Sequence, residues 1–195
     1  MQLFDKEKFL NKVLEIVKDT KIILDEPDIF NFLQNEKRWP VSYPWNQRTV
    51  EVITNIDNGI GVSNFSFFNA RGYLDYYKWK KFYNLGYTTI IANVLDLDNQ
   101  LRVLQDKLEK HVGKQINANF YFSKSSLTPI QKPSLSDHQH PYDVVVKQIY
   151  GQTVWKINNE YKDVHEDDVL LIPRNTVHSV VSSRERKLSL TINIE

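Results

Sequence analysis

The stretch that decides the fold opens Asp137-His138-Gln139-His140 and closes Pro173-Arg174-Asn175-Thr176-Val177-His178. In an extended strand residues two apart point to the same side, so His138 and His140 can turn both imidazoles toward one point. His178 follows 38 residues after His140, behind the apolar run Val169-Leu170-Leu171-Ile172 and a proline turn. A third imidazole arriving on a separate strand suits the interior of a barrel. Three neutral imidazoles would occupy one side of an iron(II), manganese, nickel or zinc ion and leave positions open for substrate, O₂ or water. Spacing alone leaves the alternative equally open: a surface His-x-His and an unrelated buried histidine.

Around this stretch the chain reads as short strands at 116–122, 143–149, 153–158, 168–172, 177–182 and 187–194, separated by polar or Gly/Pro turns. Strands at this spacing without intervening helices predict an antiparallel sandwich or barrel. Upstream, Phe9, Leu10, Val13, Leu14 and Val17 recur at helical intervals behind Asp5, predicting an amphipathic helix over Phe4 to Val17. A short helix around 29–33 follows, then a loop through 39–44 in which Pro40 and Pro44 forbid regular structure. No element is assigned to 49–69. The aromatic segment 73–83 is expected to be helical, and 88–94 a buried strand. Leu101, Leu104, Leu108 and Val112 predict one helical face, entered at Asp98 or Asn99 and left at Gly113. The expected fold is mainly β with N-terminal helices: a helical and extended segment, residues 1–87, packed on a barrel, residues 88–195.

At 195 residues, with 41% hydrophobic and 12% aromatic content, the composition is that of one folded domain. Twenty-five basic against 24 acidic residues leave a net charge of +1, which gives no electrostatic footprint for nucleic acid or an anionic membrane. No run approaches the roughly 20 apolar residues of a bilayer span, and the first eight residues meet charge where a signal peptide would be apolar. A cytoplasmic protein is expected. The absence of cysteine excludes disulfides, thiolate metal sites and thiol nucleophiles. A metal must therefore use His, Asp or Glu, and the histidines are His111, His138, His140, His165 and His178. His165 lies in a charged turn and reads as solvated. His111 ends a helix, where a cation meets the negative end of the dipole. The run Arg184-Glu185-Arg186-Lys187 reads as a solvated hairpin tip.

His138-Gln139-His140, Gly151 eleven residues after the second histidine, and Pro173 with His178 resemble the two motifs of the cupins. A closer resemblance, over roughly residues 88–195, is to JmjC-type cupins of the ribosomal-oxygenase kind. Its register runs through Asn119 and Tyr121, His138-Gln139-His140, Asp143-Val144, Gln148, Gly151, Thr153 and Trp155 to His178, with Ser189-Leu190-Thr191 in the closing strand. The resemblance implies a double-stranded β-helix, a metal at His138, His140 and His178, and co-substrate contacts at Asn119, Tyr121 and Thr153. Two positions depart from that pattern. His140 stands where the family places an aspartate, giving three histidines instead of two histidines and a carboxylate. Thr153 stands where the family places the Lys or Arg that pairs with the distal carboxylate of 2-oxoglutarate. Unless Lys147 or Arg174 replaces that cation, 2-oxoglutarate is expected to bind weakly. Val144 occupies the place of the glutamate that many metal-binding cupins add, so no fourth protein ligand is expected. Asp143 is read as a turn or surface residue.

The function implied by the resemblance is a mononuclear non-haem iron(II) oxygenase that hydroxylates or oxidises a small molecule, amino acid or peptide. The alternatives are a conventional 2-oxoglutarate-dependent hydroxylase, a non-catalytic metal-binding cupin holding zinc or nickel, and a non-redox enzyme such as an isomerase. The chain ends at Glu195, directly after the last strand, so recognition of a ribosomal protein is not carried over from the larger ribosomal oxygenases.

Overall fold

Alternation within three strands sets the layering. In β4 (Asn117–Ser123), Ala118, Phe120 and Phe122 enter one large apolar core while Asn119 and Tyr121 turn the other way. In β10 (Lys187–Ile194), Leu188, Leu190, Ile192 and Ile194 face that core, and Lys187, Ser189, Thr191 and Asn193 face away from it. β5 (Asp143–Tyr150) is buried on both sides, with Val145 and Ile149 in the large core and Val144 and Val146 in a smaller one. The side-chain period of two therefore gives each strand two distinct environments. The structure is a computed structural model and describes residues 5–36, 38–40, 49–53, 66–124, 136–183 and 185–195.

One sheet runs in the order β1 (Trp39–Pro40), β2 (Thr49–Ile53), β3 (Thr88–Ile91), β4, β10, β5, β8 (Val169–Ile172). The second runs β7 (Glu160–Val164), β6 (Thr153–Ile157), β9 (His178–Ser183). From β5 onward the chain alternates between them: β5 in the first, β6 and β7 in the second, β8 back in the first, β9 in the second, β10 in the first. An isolated bridge between His138 and His178 adds the segment before β5 to the free side of β9. This antiparallel winding is that of a double-stranded β-helix. The smaller core, Val144, Val146, Trp155, Val164, Leu170 and Ile172, draws on both sheets and joins them face to face.

The large core lies between the outer face of the first sheet and the helices. α1 (Lys6–Asp19) is capped by Asp5, which accepts from Lys8 N, and buries Leu10, Val13 and Val17. α2 (Glu26–Asn35) starts with a reciprocal capping box between Asp25 and Asp28, and Pro27 lies in its first turn. α3 (Tyr76–Asn84) stacks Tyr83 on Phe122 with ring centroids 4.6 Å apart, and its Trp79 donates to Thr89 Oγ1 at 2.9 Å. α4 (Asn99–Val112) runs from its Asp98 cap to Gly113 in the left-handed region and buries Leu101, Leu104 and Leu108. Helices and strands from residues before 88 thus share one core with β4, β5 and β10.

Two expectations change. Pro40 lies in β1, a two-residue strand at the sheet edge, where a missing N–H interrupts no central ladder; Pro44 lies outside the described residues. β7 falls between the expected strands. Its burial is confined to Val164, because it forms the exposed edge of the second sheet and so carries no apolar alternation. The turn into it is Asn158-Asn159, both at positive φ, as a tight hairpin requires.

Candidate metal centre

The His-x-His segment is held in place by its backbone and by the residue before it. His138 N donates to His178 O at 3.1 Å and His178 N returns a bond to His138 O at 2.9 Å, which fixes the pair side by side. Asp137 accepts from Lys156 Nζ on β6 at 2.6 Å and from Ser179 Oγ on β9 at 2.8 Å. Those two bonds hold its carboxyl below the ordinary carboxylate range and tie the segment to the second sheet. Asn175 N donates to His140 O at 2.7 Å, fastening the loop before His178 to the same segment.

The three rings converge. Centroids are 4.3 Å apart for His138 and His178, 5.0 Å for His138 and His140, and 5.3 Å for His140 and His178. One ring nitrogen from each lies within 4.8 Å of the others. Metal–nitrogen bonds of about 2.1 Å would separate ligand atoms by roughly 3.0–3.4 Å, so ring rotations that move each nitrogen by about 1 Å close the site. Nδ1 of His138 lies 2.9 Å from Ser136 O and Nδ1 of His178 lies 2.8 Å from Thr176 O. A proton on each Nδ1 serves those carbonyls and leaves Nε2 as the free lone pair, the tautomer and orientation that metal-binding histidines use. Burial lowers the pKa of His140, and neighbouring His138 lowers it further. Burial also lowers that of His178, against the opposing bond to Thr176. Both shifts favour the neutral imidazole that coordination needs. The Tyr142 ring lies flat against His140 at 5.0 Å, and Trp155 stacks near His178 at 6.2 Å.

Behind the imidazoles is a cavity of about 70 Å³ between the two sheets, room for several waters or a small organic molecule. Asn119, Tyr121, Val144, Trp155, Val180 and the inward side chains of β10 line it together with the three histidines. Val144 contributes no ligand atom. Thr153 is fully buried, but its hydroxyl donates to Gln148 Oε1 and accepts from Trp155 Nε1, and it does not line the cavity. The cations expected as replacements are engaged elsewhere: Arg174 pairs with Asp143 at 3.3 Å, and Lys147 donates to Val17 O at 3.3 Å.

Two residues are not where their local sequence placed them. Asp143 is 1% exposed, because bonds from Arg174 and Lys6 draw it under the barrel end. Lys187 is 2% exposed and lines the cavity. It is the first residue of β10 and on that strand's inner face, so the charged run ends one residue before it. Burial pushes its amine down to about 8, and among the described residues no charged group is near enough to oppose the shift. His165 is exposed, as expected. His111 joins helices, with Nε2 3.2 Å from Phe9 O and its ring stacked on Phe9. Asp137, Lys156, Ser179 and Lys187 had no motif to mark them.

No family model and no curated protein matches the sequence. Among solved structures, the chain is similar to a cupin superfamily protein from Desulfitobacterium hafniense, at 16% identity and TM-score 0.35 over 40% of this chain and 66% of that one. It is also similar to a conserved protein of unknown function from Streptococcus pyogenes, at 16% identity and TM-score 0.36 over 42% and 66%. A cupin protein from Bacteroides fragilis aligns at 13% identity and TM-score 0.34 over 41% and 65%. Each alignment spans just under two thirds of the neighbour's own length, and nothing about activity passes from these proteins to this chain. Among the described residues no helix is long and apolar enough to cross a membrane.

Proposed function

We propose that this chain is a cytoplasmic, JmjC-like cupin oxygenase that uses iron(II) held by His138, His140 and His178 to oxidise a small molecule, amino acid or short peptide. The observation that carries this reading is the imidazole triad itself, with two Nδ1 atoms against backbone carbonyls and all three rings at the end of a cavity walled by both apolar and polar side chains. Iron(II) held by these three nitrogens would supply O₂ activation. The protein's part is to hold the rings, to keep those of His140 and His178 unprotonated through burial, and to exclude bulk water with Trp155, Val144 and Val180. Neither nucleic acid nor membrane enters this reading.

The test is metal analysis of protein purified without added metal, followed by anaerobic iron(II) loading and measurement of O₂ consumption with candidate substrates, with and without 2-oxoglutarate. One iron per chain and substrate-dependent O₂ uptake are expected, both lost in His178→Ala. Stoichiometric metal without O₂ uptake across the panel would favour the non-oxidative metal-binding cupin. Failure to retain any metal would refute both.

A further inference from the structure

Lys187, Ser189, Thr191 and Asn193 occupy alternate positions on β10, all turned into the cavity. The register sets Lys187 opposite Ser123 and Ser189 opposite Tyr121, so Lys187 and Tyr121 are diagonal neighbours, about 7–8 Å apart at the backbone and within side-chain reach. β10 runs antiparallel to β5, with Ile194 beside Asp143 and Leu188 beside Tyr150. The His-x-His pair ends three residues before Asp143. The imidazoles therefore stand at one end of the cavity and Lys187 enters from the other.

The hydrogen bonds show which donors are still free. Ser189 donates to Gln148 Oε1 at 2.7 Å and Thr191 to Asn119 O at 3.2 Å, so neither hydroxyl proton is available. Asn119 Oδ1 accepts from Asn93 N, which leaves its amide NH₂ as a donor. Among the described residues, the Lys187 amine and the Tyr121 hydroxyl meet no hydrogen-bond or ion-pair partner. Glu51 lies in the same cross-strand row as Tyr121, but it is three strands from β10 and makes no ion pair with Lys187. An ammonium group withdrawn from water without a counter-charge is costly, and a bound anion removes that cost.

We infer that Lys187 recognises a carboxylate on the protein's small-molecule ligand, with Tyr121 and Asn119 supplying neutral donors to the same group. This rests on reading the cavity as the substrate pocket. A single cation with two neutral donors suits a planar monoanion that offers about four lone-pair sites. A phosphate dianion would call for a second cation, and no other cationic side chain lines the cavity among the described residues. The ligand would then be a small carboxylic acid whose far end reaches the imidazoles.

Calorimetric titration with glutarate and with its neutral diamide tests this, on wild-type protein and Lys187→Met, each metal-free and zinc-loaded, with metal content measured in parallel. Glutarate should bind the wild type at least about 30-fold more tightly than the diamide, and Lys187→Met should lose that preference while keeping wild-type metal content. Equal affinity for the diamide, or unchanged glutarate binding by Lys187→Met, overturns the inference. Glutarate binding through Lys187 in a protein that takes up no metal would refute the metal-centre reading and leave this one standing. A further titration with 2-oxoglutarate separates the two sources of the carboxylate. Tenfold tighter binding than glutarate, only with metal present, assigns the site to a co-substrate; equal binding assigns it to the substrate.

Discussion

Replacing Lys187 with methionine should make the protein more stable at neutral pH. The amine, 2% exposed, falls from its ordinary 10.5 to about 8 through burial alone. Between those values the unfolded chain still holds a proton that the folded chain has released, so stability rises with pH across that window. Below about pH 8 both states are protonated and the penalty is present in full. At 1.36 kcal/mol per pH unit, that penalty is about 3 kcal/mol, a large fraction of the 5–15 kcal/mol typical of a whole domain. Methionine keeps the unbranched apolar stem, one atom shorter, and removes the charge. Urea unfolding followed by tryptophan fluorescence at pH 7 and pH 10 gives the comparison. Lys187→Met should gain about 2–3 kcal/mol at pH 7, with the gap shrinking at pH 10, where the wild-type lysine folds mostly neutral. Saturating glutarate should also narrow the gap at pH 7 by stabilising only the wild type. A variant no more stable than wild type at pH 7, or a gap that does not change with pH, would refute the account of Lys187 as an unpaired buried cation. A gain in stability joined to a loss of ligand binding is the signature of a residue kept for function.

Three other outcomes follow from the same geometry. His140→Ala and His178→Ala should each lose bound metal, measured by elemental analysis, while His165→Ala, altered at an exposed turn, should keep wild-type content; equal content in all three would remove the triad from consideration. Gly151→Ala places a methyl 2.1 Å from Arg186 O at a φ of +77°, so thermal unfolding should show a loss of about 2–4 kcal/mol. For Asp143, burial raises the pKa, but bonds from Arg174 and Lys6 outweigh it and hold the carboxyl below 3.8. Its contribution is therefore present above about pH 4 and lost as pH falls through the folded value. Asp143→Asn should cost roughly 1 kcal/mol at pH 7, because both partner cations are about half exposed, and should flatten the acid limb of a urea-unfolding series.

What could be read from the chain depended on how local each signal was. The strand positions from β4 onward, apart from β7, and the pairing of His138 with His140 follow from a period of two, which needs only a few neighbouring residues. The arrival of His178 at the same point was implied only by the resemblance of Gly151, Pro173 and His178 to the cupin motifs, a pattern carried by turns. Gly151 shows why such a spacing is physical: the chain turns there with positive φ against the backbone of Arg186, a place no side chain fits. Lys187 was hidden for the opposite reason. Arg184-Glu185-Arg186-Lys187 is an unbroken charged run, and nothing within it marks where the hairpin ends and the strand begins. The following residues do alternate, with Lys, Ser, Thr and Asn on one face and Leu, Leu, Ile and Ile on the other. On a two-layer domain that pattern ordinarily puts the polar face in water. Here the apolar face is taken up by α1 and α4 through the large core, and the second sheet covers the polar face. Which face is inside was settled by elements far away in sequence. A barrel that turns Lys187, Asn119 and Tyr121 inward forgoes apolar packing that Val144 and Trp155 show it can make. That inward polarity, opposite three converging imidazoles, is what the proposed ligand would use, and the glutarate titration of Lys187→Met decides whether it does.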